Sequence, residues 1–197
     1  GKAVARHWVK NDKWIVVGVK RPSSEPIEGY KVYETDYSQQ SLDSVAKTLG
    51  ALQISVAKFI VCNGLLSNDV VKPERRLVDT QMEAFETVFE INTFLPIRVL
   101  RAFWLLLERS KGPKIAIFSA RVGSIGDNHL GGWYAYRGSK AALNMMLKSA
   151  ALEMRRRNPN AKFLAYHPGT VDTPLSRPFQ RNVHKKTLLT ADFSAQR

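Results

Sequence analysis

The chain has 197 residues, 44% hydrophobic and 24% charged, with 30 Lys and Arg against 17 Asp and Glu for a formal net charge of +13. Those proportions are ordinary for one globular domain with a sizeable core, and no low-complexity tract or internal repeat is present. No apolar run reaches the ~18 residues of a membrane span, and a single cysteine, Cys62, excludes an internal disulfide framework and a cysteine metal cluster.

The excess of cations invites a nucleic-acid partner. The basic residues are scattered, however, with local knots only at Arg155-Arg-Arg157 and His184-Lys-Lys186. The expectation is a solvated basic surface with no specific nucleic-acid partner and no membrane contact. Attraction of a phosphate-rich cofactor is the smaller claim that the charge supports. The histidines show no metal-ligand spacing, and no metal site is expected. No leader sequence is visible at the amino end, which reads as the middle of a helix; the expected location is the cytoplasm.

Strand-like and helix-like segments alternate along the chain, which predicts an α/β fold with a parallel sheet covered on both faces. Residues 1–10 read as a helix, 14–19 as a buried strand and 30–36 as a second strand. A helix over 41–52 is expected to open on Ser41 as its cap, and 54–62 is a third strand. Residues 80–110 read as one long helix, bent or interrupted near Pro96. A strand at 114–120, a small-residue loop at 122–128, a helix through Tyr136 and a strand at 162–170 follow. The tail from Pro174 onward reads as polar, basic loop.

Tyr136 and Lys140 are four residues apart, so on a helix they stack on one face. Leu143, Leu147, Ala150 and Met154 continue as an apolar stripe at helical spacing. A free phenol titrates near pH ~10. A neighbouring ammonium favours the phenolate and lowers that value, so the pair is expected to serve as a general acid or base. Two residue types at one spacing are a weak signal when isolated, because a surface Tyr and Lys also satisfy it.

The surroundings strengthen the signal. A strand, the loop Val122-Gly-Ser-Ile-Gly-Asp-Asn128, a Tyr-x-x-x-Lys helix and a strand closing on Pro168-Gly169 follow one another. This succession resembles the short-chain dehydrogenase/reductase superfamily. Phe118-Ser-Ala-Arg-Val-Gly-Ser-Ile125 with Gly132-Trp-Tyr-Ala-Tyr-Arg-Gly-Ser-Lys-Ala-Ala-Leu-Asn144 is similar to its C-factor/sniffer-type carbonyl reductase branch. The resemblance covers essentially the whole chain. It implies a Rossmann-like doubly wound sheet forming one dinucleotide-binding domain over residues 1–197, expected to be incomplete at both ends. Gly1 would be the last glycine of the family's Thr-Gly-x-x-x-Gly-x-Gly turn, whose backbone meets a pyrophosphate at a helix N-terminus. The family's final helix and strand would lie beyond Arg197.

The same resemblance implies roles for single residues. Lys20, Arg21 and Ser23 close the first strand with no acid among them, which favours NADP over NAD. Asp36 looks like the family aspartate that meets the adenine, although a turn-capping aspartate fits equally. Asn63 and Gly64 fall where the family has Asn-Asn-Ala-Gly, with Asn63 on the second asparagine. Asn92 matches the asparagine that holds a proton-relay water; bonding to its own helix is the alternative. The family's substrate-binding serine falls on Ala120, which leaves Ser119 and Ser124 as candidate donors. Alternation along a strand would turn Ser119 away unless the strand has ended. Pro168 and Gly169 open the Pro-Gly-x-x-x-Thr motif, in which the backbone near Val171 and the hydroxyl of Thr173 reach the cofactor. His167 is expected to pack rather than act as a base. The implied activity is hydride transfer between NADP and a small-molecule carbonyl or alcohol. Tyr136 would act as acid/base and Lys140 would hold the ribose hydroxyls, in a homodimer or homotetramer. A weakly catalytic, cofactor-binding regulatory or signalling protein is the competing expectation.

Overall fold

The structure is a computed structural model that describes residues 1–10, 15–22 and 30–197. In chain order its elements are α1 Lys2–Val9, β1 Val17–Lys20, β2 Lys31–Glu34, α2 Gln39–Ala51, β3 Lys58–Val61, α3 Met82–Phe89, a π-helical turn Glu90–Phe94, α4 Leu95–Ala102, α5 Trp104–Arg109, β4 Lys114–Phe118, α6 Tyr134–Arg157, β5 Lys162–Tyr166, β6 Thr170–Val171, β7 Leu188–Leu189 and α7 Ala191–Gln196. They gather into two compact units, residues Ala46–His167 and residues Gly1–Val45 with Pro168–Arg197.

The Ala46–His167 unit is built on a parallel sheet of order β3-β4-β5. β4 lies in the middle, with Val61 opposite Ile117 and Phe118 opposite Tyr166. Parallel strands flanked by helices are apolar along most of their length, and Ile115 and Ile117 are buried accordingly. On α6 the buried stripe is Leu143, Leu147 and Met154, with Ala150 half-buried, as the spacing predicted. Each fully buried leucine contributes roughly 1.5–3 kcal/mol by leaving water.

The helix expected over 80–110 is interrupted twice. Pro96 has no N–H to offer the carbonyl of Asn92 four residues back. The chain accommodates this with a wider turn, in which the Leu95 N–H reaches five residues back to the Glu90 carbonyl. A second break falls at Phe103, whose φ of −93° and ψ of 3° leave the helical region.

The other unit carries two parallel pairs, β1-β2 and β6-β7. Val19 lies opposite Tyr33, and Thr170 opposite Leu188. Within this unit α1 lies against α7. The tail expected to be loop is ordered, because Leu188-Leu189 finds a strand partner and Thr190 caps α7 by accepting from the Phe193 N–H. The cap of α2 is Ser38, whose Oγ accepts from the Ser41 N–H at 3.2 Å, so the helix starts before the expected Ser41. Trp14, read as the start of a strand, lies outside the described residues. Cys62, the single thiol, is half-buried. Among the described residues no helix is long and apolar enough to cross a membrane.

Candidate active site

Tyr136 sits in the first turn of α6 and Lys140 one turn further on, both facing inward with 8% and 2% of their surface exposed. Burial dominates the electrostatics of both. The phenol of Tyr136 is pushed up to about 12, because a phenolate would lose its hydration there. The Lys140 ammonium is lowered to about 8 for the same reason. This overturns the expectation that Lys140 lowers the pKa of Tyr136. The amine donates to the Phe118 carbonyl at 2.9 Å and lies 6.0 Å from the centre of the Tyr136 ring, so its nearest polar partner is the end of β4.

Asn92 is fully buried on the π-helical turn. Its Oδ1 accepts from the Leu65 N–H at 2.8 Å. Its Nδ2 donates to the Leu65 carbonyl at 2.8 Å and to Ser139 Oγ at 3.2 Å. The carboxamide therefore bonds neither its own helix nor a lysine. It ties the segment after β3 to α6. Ser139 is also fully buried, donates to the Tyr136 carbonyl at 2.8 Å, and its own carbonyl accepts from Thr93 Oγ1 at 2.8 Å. Three buried polar side chains, Asn92, Thr93 and Ser139, thus interlock behind Tyr136, each with a hydrogen-bond partner, the condition under which a buried polar network is stable.

β4 ends at Phe118, so strand alternation no longer directs Ser119. Its N–H donates to the Tyr166 carbonyl at 2.8 Å and its Oγ to Asn144 Oδ1 at 2.6 Å. Asn144 in turn donates to the Gly123 carbonyl at 3.3 Å. The loop can lie this close to α6 only because residue 123 is glycine, since a Cβ there would meet Lys140 Cβ at 2.8 Å. Ser124 is exposed just beyond the 3₁₀ turn Arg121–Gly123. Half-buried Asn63 and exposed Gly64 follow β3. His167 is held below its usual range by burial and then by Arg121, which keeps it neutral and suits a packing role.

In the other unit Lys20 ends β1 with its Nζ 3.7 Å from Glu34 Oε1. An acid on the neighbouring strand therefore faces the cation, which the run Lys20-Arg21 did not reveal. The guanidinium of Arg21 lies over the Tyr37 ring at 5.6 Å. Ser23 lies outside the described residues. Asp36 is exposed and accepts from the Ser38 N–H at 2.8 Å. The Ser38 hydroxyl first, and then that backbone bond, hold its carboxyl below the usual range, so its observed work is turn capping. Gly1 precedes α1, whose first turn contains no acid. Pro168 leads into Gly169, at φ +80°. The Val171 carbonyl accepts from the hydroxyls of Thr173, at 3.3 Å, and Ser176.

Sequence reasoning missed Ser139, Asn144 and Glu74. Ser139 and Asn144 did carry a signal, being polar residues in helical register with the buried stripe of α6. Glu74 carried none. It lies on an irregular segment, yet is buried and reaches the start of α6, where its Oε2 accepts from the Ala135 N–H at 3.3 Å.

Residues 1–184 match the family described as short chain dehydrogenase. The chain is 34% identical over 143 residues to 1-hydroxy-2-glutathionyl-2-methyl-3-butene dehydrogenase of Rhodococcus sp. (strain AD45), covering 72% of this chain and 58% of that protein. It is 36% identical over 102 residues to the C-signal protein of Myxococcus xanthus, covering 52% of this chain and 60% of that one. The matched region thus spans about three fifths of the length of these two curated relatives. A short-chain dehydrogenase/reductase of Burkholderia multivorans with bound NADP superposes with a TM-score of 0.76 at 24% identity, covering 100% of this chain and 82% of that one.

Proposed function

The chain belongs to the short-chain dehydrogenase family, and from that premise we propose that the protein is an NADP-dependent oxidoreductase acting on a small carbonyl or alcohol substrate, with Tyr136 as its proton donor. The observation that carries this reading is the burial of Tyr136 and Lys140 one turn apart on one face of α6. A phenol pushed up to about 12 stays protonated through neutral pH. Such a group is a proton donor toward an oxygen that gains negative charge, and a poor base at rest. Lys140, lowered to about 8, is still mainly cationic at pH 7. By leaving the Phe118 carbonyl its amine can take up ribose hydroxyls.

When bound, the cofactor supplies the hydride, and the protein supplies orientation and polarisation. The donor set fits an anionic dinucleotide. Lys20 and Arg21 are the cations suited to a 2′-phosphate, although Glu34 offsets part of the charge of Lys20. Gly1, Asp36, Asn63, Gly64, Pro168, Gly169, Val171 and Thr173 keep the cofactor roles that the family resemblance implies, and Ser23 joins Lys20 and Arg21. Asn92 acts by holding Ser139 and the first turn of α6, and as the relay group of the family pattern. Ser119 can polarise a substrate carbonyl only by giving up Asn144, so Ser124 is the less encumbered donor. We further propose one dinucleotide-binding domain in a cytoplasmic homodimer or homotetramer. Exposed Phe94 on the π-helical turn, Leu105 on α5, and Met145 and Leu152 on α6 supply the apolar surface for it.

The test is NADPH oxidation by the full-length protein with ketones, aldehydes and quinones, beside Tyr136→Phe. Turnover that disappears in the variant supports the reading; wild-type turnover in the variant refutes it. A second reading, a cofactor-binding regulatory protein, is favoured by Ala120 at the family's serine position and by the similarity to the C-signal protein. It expects micromolar or tighter NADPH binding with no turnover on any of these substrates.

A further inference from the structure

The entry to α6 is backbone that most side chains avoid. Gly131, Gly132 and Trp133 follow one another in the left-handed region, at φ +63°, +62° and +54°. Two glycines adopt it readily, whereas a tryptophan does not, and such a conformation persists only where its surroundings impose it. Two groups do so. Arg137 donates through Nε to the Gly131 and Gly132 carbonyls at 3.2 and 3.0 Å. Glu74 takes the other side: its carbonyl accepts from the Trp133 N–H at 2.6 Å, and its carboxylate Oε2 accepts from the Ala135 N–H at 3.3 Å, across 61 residues of chain.

The first N–H groups of a helix lack partners within it. α6 has no acid in its own first turn and no side-chain cap of its own, because its cap residue is Trp133. Only 6% of Glu74 is exposed. A buried carboxylate at a helix N-terminus meets the positive end of the helix dipole. The indole of Trp133, seated by this arrangement, stands edge-on to the Tyr136 ring with centroids 6.2 Å apart and planes at 76°.

We propose that Glu74 is a positioning residue for Tyr136: from a remote segment it caps α6 and locks the left-handed turn that seats Trp133 against the phenol ring. The inference rests on the reading of Tyr136 as proton donor. A displacement of about 1 Å at a reacting group can lower rate by about 100-fold, so the effect belongs in kcat. The experiment compares full-length wild type, Glu74→Gln, Glu74→Asp and Tyr136→Phe in steady-state NADPH oxidation. Glu74→Gln keeps an acceptor oxygen at the same reach and should stay within about threefold of wild-type kcat. Glu74→Asp shortens that reach by one methylene and should lower kcat about tenfold or more, with KM for NADPH unchanged. The inference fails if Glu74→Asp keeps wild-type kcat while Tyr136→Phe is inactive. It also fails if Glu74→Asp raises KM and leaves kcat alone. If Tyr136→Phe itself turns over normally, the reading of Tyr136 falls and this inference falls with it.

Discussion

The candidate catalytic groups of one compact unit and the candidate cofactor groups of the other are held in opposite ways. In the Ala46–His167 unit, Asn92, Thr93, Ser139 and Lys140 are each at most 2% exposed, and each has a partner on another element. In the other unit the candidate cofactor groups lie nearer water: Lys20 pairs with half-exposed Glu34, and Asp36 caps an exposed turn. The difference teaches where precision resides. A saturated buried network has one good arrangement, since any broken bond strands a desolvated group. Exposed pairs exchange with water at little loss. Proton transfer needs the first kind of setting, and recognition of a phosphate tolerates the second.

Several substitutions would sharpen or break that contrast. Tyr136→Phe removes the proposed donor and should lower turnover of the full-length protein by 10²–10⁴-fold, roughly what general acid catalysis contributes. Residual activity near wild type would place the chemistry elsewhere. Asn92→Ala strands both polar groups of Leu65 and one bond of Ser139. It should cost about 2–4 kcal/mol of stability, read as a lower midpoint in urea unfolding. A loss under about 0.5 kcal/mol would show that the network is not taut.

The titration of Lys140 offers a third handle. Its folded value, about 8, lies below the ordinary 10.5 of a lysine. Between those two values the unfolded chain binds more protons, so this residue makes stability rise with pH across that window. Tyr136 acts in the opposite sense. Its folded value of about 12 exceeds the ordinary 10.0, so its contribution is present below pH 10 and lost as pH climbs through 12. Urea midpoints at pH 8 and pH 10 should therefore rise in the wild type and rise less in Lys140→Met; parallel curves would contradict the buried-ammonium account. Lys20→Ala with Arg21→Ala should weaken NADPH more than NADH by about tenfold in titration, with folding intact, as expected for loss of charge-assisted phosphate contacts. The smallest effect is expected at the exposed pair of Arg121 with Asp127, 2.6 Å apart. Asp127→Asn should leave the melting temperature within error, and a marked drop would show that exposed pairs here matter more than the contrast allows.

Much of the architecture was legible because it is local. Apolar periodicity located α6 and the three strands of its unit, and a proline marked where the long helix could not continue regularly. The tail was misread because Leu188-Leu189 becomes a strand only through Thr170-Val171, a pairing with no local signature. Ser41 yielded the cap of α2 to Ser38 because caps depend on the dihedral angles of a few residues, which composition does not specify.

What the sequence by itself determined was which chemical groups are present and in what order: Tyr136 and Lys140 one turn apart, alanine where a serine was expected at Ala120, and cations after β1. Only the tertiary structure decided how those groups behave. It buried the phenol and the amine together, so that desolvation raises the Tyr136 pKa and lowers that of Lys140. It also committed Ser119 to Asn144 and brought Glu74 to the start of α6. Burial and remote partners are properties of packing, and no window of neighbouring residues contains them.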